Sequence, residues 1–151
     1  MKTTDNLTSV LKSTHPDELK EVLEAHWEKI VSSEKPFSDY MKGLLKQRGL
    51  KQQDVFLAAD ISERYGYKLI NEEKHTRQRD TILRLCYAAK LTLDETQRAL
   101  KLYGMSPLYP RIQRDAVLMV AFNNGVYDIH EVNSLLEKHD TEALFPCSPT
   151  E

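Results

Sequence analysis

Leu50-Lys51-Gln52-Gln53-Asp54-Val55-Phe56-Leu57-Ala58-Ala59-Asp60-Ile61-Ser62-Glu63-Arg64-Tyr65-Gly66-Tyr67-Lys68-Leu69-Ile70-Asn71 is the stretch that decides the fold. It reads as two short helices, about 52–59 and 62–71, meeting at a tight turn at Asp60-Ile61. Such a pair needs apolar residues at fixed positions to lock its angle, and Val55, Ala59, Ile61 and Leu69 occupy them. Asp60 stands in the turn, where an aspartate tolerates left-handed backbone better than most non-glycine residues.

Outward from this pair every pattern is helical. A helix over about 38–47 turns Tyr40, Met41, Leu44 and Leu45 inward, with Gly49 just past its end. On the other side a helix over about 77–89 carries Ile82, Leu83, Leu85, Cys86 and Ala89 as its buried face. Thr92-Leu93-Asp94-Glu95 is a capping box that opens a helix ended by Gly104. A further helix is expected at about 110–124, with Gly125 after it. Asp128-Ile129-His130-Glu131 caps the last one, which ends near His139. Upstream, Thr14-His15-Pro16-Asp17 starts a helix whose apolar stripe is Leu19, Val22, Leu23, Trp27, Ile30 and Val31, broken at 32–36. The ends, 1–13 and 146–151, carry no strong pattern. The expected class is all-α.

One internal repeat stands out. Arg79-Asp80-Thr81-Ile82-Leu83 matches Arg114-Asp115-Ala116-Val117-Leu118 at an offset of 35. After one inserted residue, Leu93, Glu95 and Leu100 correspond to Ile129, Glu131 and Leu136, and Leu108-Tyr109-Pro110 to Leu144-Phe145-Pro146. Each copy is a helix, a short turn and a capped second helix. Two copies fall short of a solenoid, so the second is expected to pack on the first as an extension. Capped hairpins also resemble one another by chance.

Composition excludes several classes. With 40% hydrophobic and 29% charged residues the chain is an ordinary globular one rather than a disordered one. The longest apolar run, 116–122, is far below the roughly 20 residues of a membrane span. The start, Met1 to Asn6, lacks the apolar core of a signal peptide, so a cytoplasmic location is expected. Cys86 falls in a helical pattern and Cys147 in the tail, which favours two thiols over a disulfide. The histidines at 15, 26, 75, 130 and 139 lack metal-ligand spacing. There is no Gly-rich phosphate loop, His-Glu-x-x-His or nucleophile elbow. Neither an enzyme nor a metal or cofactor is expected.

The 50–71 stretch, with one helix before it and two after, resembles the phage-repressor-like (Xre/Cro-type) helix-turn-helix DNA-binding proteins over about residues 37–105. The resemblance implies a lambda-repressor-like five-helix domain over 36–105. An N-terminal tail and helix (1–35) would precede it, and a C-terminal helical hairpin and tail (106–151) would follow. It also implies that Ser62, Glu63, Arg64, Tyr67 and Lys68 face the major groove, that Gln52 and Gln53 stand by the phosphates, and that Lys74 and Arg77 hold the backbone. Arginine and lysine suit guanine edges, and a helix N-terminus offers N–H groups to phosphate. Most such proteins bind as dimers to paired half-sites, so a homodimer on double-stranded DNA follows, with residues 106–145 as its interface.

Three departures from the family pattern have physical content. Phe56 stands where a small residue is usual and Gly66 where a bulky one is, which reads as a compensating size exchange. Asp60 replaces the usual turn glycine. Glu63 puts a carboxylate on the reading face, where it either accepts from a cytosine amine or repels phosphate. Residues 36–105 carry 13 Lys/Arg against 9 Asp/Glu, a basic middle in a chain of net charge −2. The competing function is a helical protein-interaction module that keeps this scaffold without binding DNA. Glu63, Gly66 and the net negative charge favour that alternative, and its partner would be another protein.

Overall fold

The computed structural model describes residues 33–146. Among these every regular element is an α-helix: α1 (Pro36–Gln47), α2 (Gln52–Ala59), α3 (Glu63–Ile70), α4 (Arg79–Ala88), α5 (Leu93–Tyr103), α6 (Gln113–Asn123) and α7 (Ile129–Lys138). The expected helix within 17–31 and Cys147 lie outside the described residues. No helix among the described residues is long and apolar enough to cross a membrane.

The α2–α3 turn is built as its residues require. Asp60 takes a left-handed conformation (φ 57°, ψ 46°), and the N–H of Ile61 returns to the Phe56 carbonyl at 3.0 Å. Ser62 caps α3, its hydroxyl accepting from the Tyr65 N–H at 3.3 Å. Val55, Ala59, Ile61 and Leu69 are all buried. The size exchange is equally direct. Phe56 is buried, and a Cβ placed on Gly66 would stand 2.5 Å from its ring. The missing side chain is what lets α3 cross α2.

Helix α4 is the hub and packs on α2, α5 and α7. Its buried residues run without a break from Asp80 to Tyr87, so its charged members must find partners inside. It starts at Arg79 because Gln78 is extended (φ −87°, ψ 110°), and the turn before it is held by the Thr76 N–H donating to the Tyr103 hydroxyl (2.7 Å) and the Gln78 N–H to the Thr76 hydroxyl (3.1 Å). The other helix ends follow their caps. Thr92 and Glu95 form the reciprocal capping box of α5, Gly104 ends it at φ 86°, and Asp128 caps α7. Arg48, at the end of α1, donates to both Glu95 oxygens at 2.5 and 2.7 Å. Burial pushes the Glu95 carboxyl up, but Arg48 and the Thr92 N–H outweigh it and hold it below the ordinary carboxylate range.

The repeat is present as two hairpins, α4–α5 and α6–α7, joined by a reciprocal exchange. Arg79 of the first pairs with Asp115 of the second at 2.5 Å, and Arg114 of the second with Asp80 of the first at 2.8 Å. Each aspartate also accepts a backbone N–H, Asp115 from Tyr109 (2.9 Å) and Asp80 from Phe145 (3.0 Å). Each arginine donates to equivalent carbonyls, Arg79 to Ser106 and Pro107, Arg114 to Glu142 and Ala143. Gln97 and its counterpart Asn133 hold the N–H groups of Leu108 and Leu144. Even the left-handed residues match: Lys90 (φ 56°) with Gly125 (φ 68°), and Gly104 (φ 86°) with Asp140 (φ 58°). Tyr87 and its counterpart Phe122 stack on each other at 3.8 Å, 5° from parallel. Equivalent residues meeting one another is the signature of a pseudo-two-fold axis. The buried side chains of both hairpins and of α1–α3 form one apolar cluster.

Two expected outcomes test this packing. Gly66→Ala should destabilise by about 1–3 kcal/mol through overpacking against Phe56, although alanine is the better helix former by about 1 kcal/mol. Urea unfolding of G66A with and without Phe56→Leu reads the coupling, and the smaller ring should recover most of the loss. Asp115→Ala should cost on the order of 2–4 kcal/mol, because it strands the Arg79 guanidinium and the Tyr109 N–H together. Asp80→Ala should cost a similar amount, and thermal unfolding of the two variants checks the equivalence.

Candidate functional site

The α3 surface divides cleanly. Tyr65, Gly66, Leu69 and Ile70 are buried, while Glu63, Arg64 and Tyr67 are exposed and Lys68 is half-buried. Residues 64 and 68, and likewise 63 and 67, are one turn apart, so these four share one outward face. Ser62 sits at the head of that face, exposed, its oxygen accepting the capping N–H of Tyr65. The Tyr67 ring stands edge-on to Phe56 at 4.9 Å, which anchors it beside the α2–α3 crossing. Gln52 and Gln53 occupy the first turn of the neighbouring α2, half-buried and exposed respectively, and Lys51 ahead of them provides no side-chain cap.

The segment after α3 is held at several points. The Glu73 and Lys74 N–H groups both donate to the Lys68 carbonyl, at 2.8 and 3.1 Å. Glu72 turns left-handed (φ 55°), and its carboxylate accepts from the Ser38 N–H at 3.2 Å, at the start of α1. His75 lies flat on Tyr103 at 4.3 Å, 2° from parallel. Lys74 and Arg77 therefore belong to a tethered loop that follows α3, and both are exposed.

Charge use separates two groups of cations. Arg48, Arg79 and Arg114 are consumed by ion pairs, and Arg84 is consumed by carbonyls. Arg64, Lys68, Lys74 and Arg77 engage no side-chain hydrogen bond or ion pair among the described residues. The structure thus places Glu63, Arg64, Tyr67 and Lys68 on one face of α3, with Lys74 joined to the last turn through its backbone N–H on the Lys68 carbonyl and Arg77 three residues further along the loop, while Gln52 and Gln53 lie on a separate helix.

Other groups are chemically quiet. Burial pushes the Cys86 thiol up to about 12, so it stays protonated at neutral pH. Burial likewise raises Tyr40 to about 12. Among the described residues no three His, Cys, Asp or Glu side chains converge as metal ligands would.

Two features of the site escaped sequence reasoning. Leu57, on α2, is 81% exposed, an apolar side chain off the Val55/Ala59 face. Arg84, only 5% exposed, donates to the Ala59 carbonyl at the end of α2 (3.1 Å) and to the Leu144 and Phe145 carbonyls (3.0 and 2.9 Å). It thereby ties the α2–α3 turn to the strap 141–146. The available signal was an arginine set between Leu83 and Leu85 in the apolar run that follows Thr81. Arg84→Met should leave these buried carbonyls unpaired and cost about 1–3 kcal/mol or more. Hydrogen exchange at the Ile61 amide should speed up in the variant, because the turn loses its brace.

No protein-family model matches the chain, and no curated protein or solved structure is significantly similar to it.

Proposed function

We propose that the chain is a sequence-specific DNA-binding transcriptional regulator of the Xre/Cro type, acting in the cytoplasm as a homodimer on double-stranded DNA. In this reading α1–α5 are the lambda-repressor-like five-helix domain, α2 and α3 are its helix-turn-helix, and the helix starting at Ser62 enters the major groove. The observation that carries it is the segregation of cations. Among the described residues the fold consumes four arginines, yet leaves Arg64, Lys68, Lys74 and Arg77, on α3 and the loop after it, without a side-chain hydrogen bond or ion pair. Unpaired cations on a rigid frame are what phosphate binding needs, since little ordering entropy is then lost on contact. The roles divide by position. Arg64 and Lys68 project from the helix toward base edges. Lys74 and Arg77, on the tethered loop, meet phosphates, while Ser62, Gln52 and Gln53 supply polar contacts at two helix starts.

One observation favours a second reading. Leu57 on α2 (81% exposed) and Tyr67 on α3 (37%) are large exposed apolar side chains of the helix-turn-helix pair, and Glu63 stands one turn before Tyr67 on α3. A protein partner would cover such groups, whereas a phosphate backbone would not. In that case the same scaffold serves as an interaction module.

Electrophoretic shift of DNA from the chain's own locus, at low and moderate salt, separates the two. Under the DNA reading Arg64→Ala lowers the preference for the cognate site over random DNA by about 1–3 kcal/mol. Lys74→Ala weakens both kinds of binding alike and reduces the salt slope by about one unit. Glu63→Gln reduces discrimination if the carboxylate reads cytosine, and raises affinity for every sequence if it only repels phosphate. Absence of any shift at low salt, where phosphate attraction is strongest, overturns the regulator reading.

A further inference from the structure

The two hairpins match in their internal packing but differ in what covers them. Helix α4 packs on α2, α5 and α7, whereas α6 packs on α5 and α7. On α4 the residues equivalent to Ala116 and Val120 are Thr81 and Leu85, both fully buried. On α6 the same positions stand opposite the inward Leu118, Ala121 and Phe122. Val120 is 53% exposed and Ala116 half-buried, with Gln113 and Asn123 exposed beyond them on either side. This outer side of α6 carries no charge. Arg114 and Asp115 are the only charged residues of the helix, and both are held in the exchange with Asp80 and Arg79. What α6 lacks is a cation at its end. Helices α1, α3, α5 and α7 each carry a lysine in the last turn (Lys46, Lys68, Lys101 and Lys138), whereas α6 has no basic residue there. The partial negative charge of its C-terminus is therefore unopposed within its own last turn. Arg111, exposed just ahead of its first turn, engages no side-chain hydrogen bond or ion pair among the described residues.

We propose that the outer side of α6 pairs with the same side of α6 in a second copy of the chain, the two helices antiparallel and crossing at about residue 118. This rests on the homodimer in the function proposed above and gives it an interface, but it uses nothing of what α3 binds. Reversing the helix makes its surface complementary to itself in three respects. Val120, large, lies over Ala116 of the second copy, small, and a two-fold contact repeats that fit on the other side of the axis. Gln113 lies against Asn123 of the second copy, amide against amide, and each can both donate and accept. Arg111 comes to the C-terminal end of the second copy's α6 and supplies the cation that this helix lacks. A parallel pair would set Val120 on Val120 and the two Arg111 side chains together, and it would lose all three. Because the surface itself is uncharged, two identical copies bury no like charges against each other. A single helix pair lies at the small end of specific interfaces, which start at about 1,200 Å², so the association is a reversible one.

Sedimentation velocity of the full chain without DNA, over about 1–500 μM, reads the association directly. The mean mass should rise from one chain toward two across that range. Val120→Glu should weaken the dimer by about tenfold or more, because it buries an unpaired carboxylate, with the far-UV circular dichroism of the parent retained. Arg111→Glu decides the matter should that variant fail to fold, since position 111 is exposed and outside the helix. It sets an anion against the C-terminal end of the second α6 and should weaken the dimer several-fold. Gln113→Lys combined with Asn123→Glu tests the direction of the pair. Opposite charges then face each other across the axis, and the double variant should dimerise more tightly than either single one. A mass of one chain throughout overturns the proposal, since the outer side of α6 is then covered within the chain or left to another partner. A dimer unchanged by both Val120→Glu and Arg111→Glu overturns it as well, because the copies then meet elsewhere. A double variant no tighter than its single parents overturns the antiparallel pairing. None of these measurements involves DNA, so their failure is distinct from the absence of a shift with DNA at low salt.

Discussion

Everything in the described body hangs on the reciprocal pairing of Arg79 with Asp115 and Arg114 with Asp80. Both aspartates are buried, and a buried carboxylate is tolerated only where its charge is matched and its lone pairs are filled. Here one guanidinium and one backbone N–H meet each of them. The N–H donors come from Tyr109 and Phe145, so the same groups that neutralise the carboxylates also pin the two strap segments after α5 and α7. Because the exchange runs in both directions, neither hairpin satisfies its own charges. The stacking of Tyr87 on Phe122 completes the contact between copies. The hairpins therefore order each other, which is why the second behaves as part of the same apolar cluster.

The consequence for the exposed end of the molecule runs through α4. Its apolar side carries α2, and its single buried arginine, Arg84, reaches from the α2 terminus to the strap pinned by Asp80. The α2–α3 pair is thus braced from beneath by polar contacts and from within by Phe56 filling the volume that Gly66 leaves. The segment after α3 is fixed independently, by Glu72 on the start of α1 and by His75 and Thr76 on Tyr103. A surface assembled this way presents its uncommitted side chains from a rigid frame, an advantage for recognising a polyanion and for docking a protein alike. Between these, the free cations weigh toward the polyanion, and Leu57 with Glu63 toward the protein.

Much of the architecture was legible locally. Helix spans, caps and turns depend on residues within a few positions of one another, and so the α2 boundaries, the capping box at Thr92, the Asp128 cap and the left-handed Asp60 turn agree with the sequence pattern. The Phe56–Gly66 exchange was legible too, because two anomalies at one crossing explain each other. The later starts of α4 and α6 were not. Thr76 and Gln78 are committed to Tyr103 and to each other before α4 begins, and before α6 the Ile112 N–H closes a turn onto the Tyr109 carbonyl.

By itself the sequence determined the all-α class, the order of the helices, which face of each is apolar and the fact of a repeat, all of which follow from short-range periodicity. Tertiary structure alone decided that the repeated arginines and aspartates pair across copies rather than within them. Adjacent residues such as Arg79 and Asp80 point to different sides of a helix, so each can be satisfied only by another element. It also decided which cations are left over. A lysine or arginine looks the same in sequence whether the fold consumes it, as with Arg84 and Arg114, or leaves it on the surface, as with Arg64 and Lys74. Only the distances to carboxylates and carbonyls contributed by remote parts of the chain tell them apart.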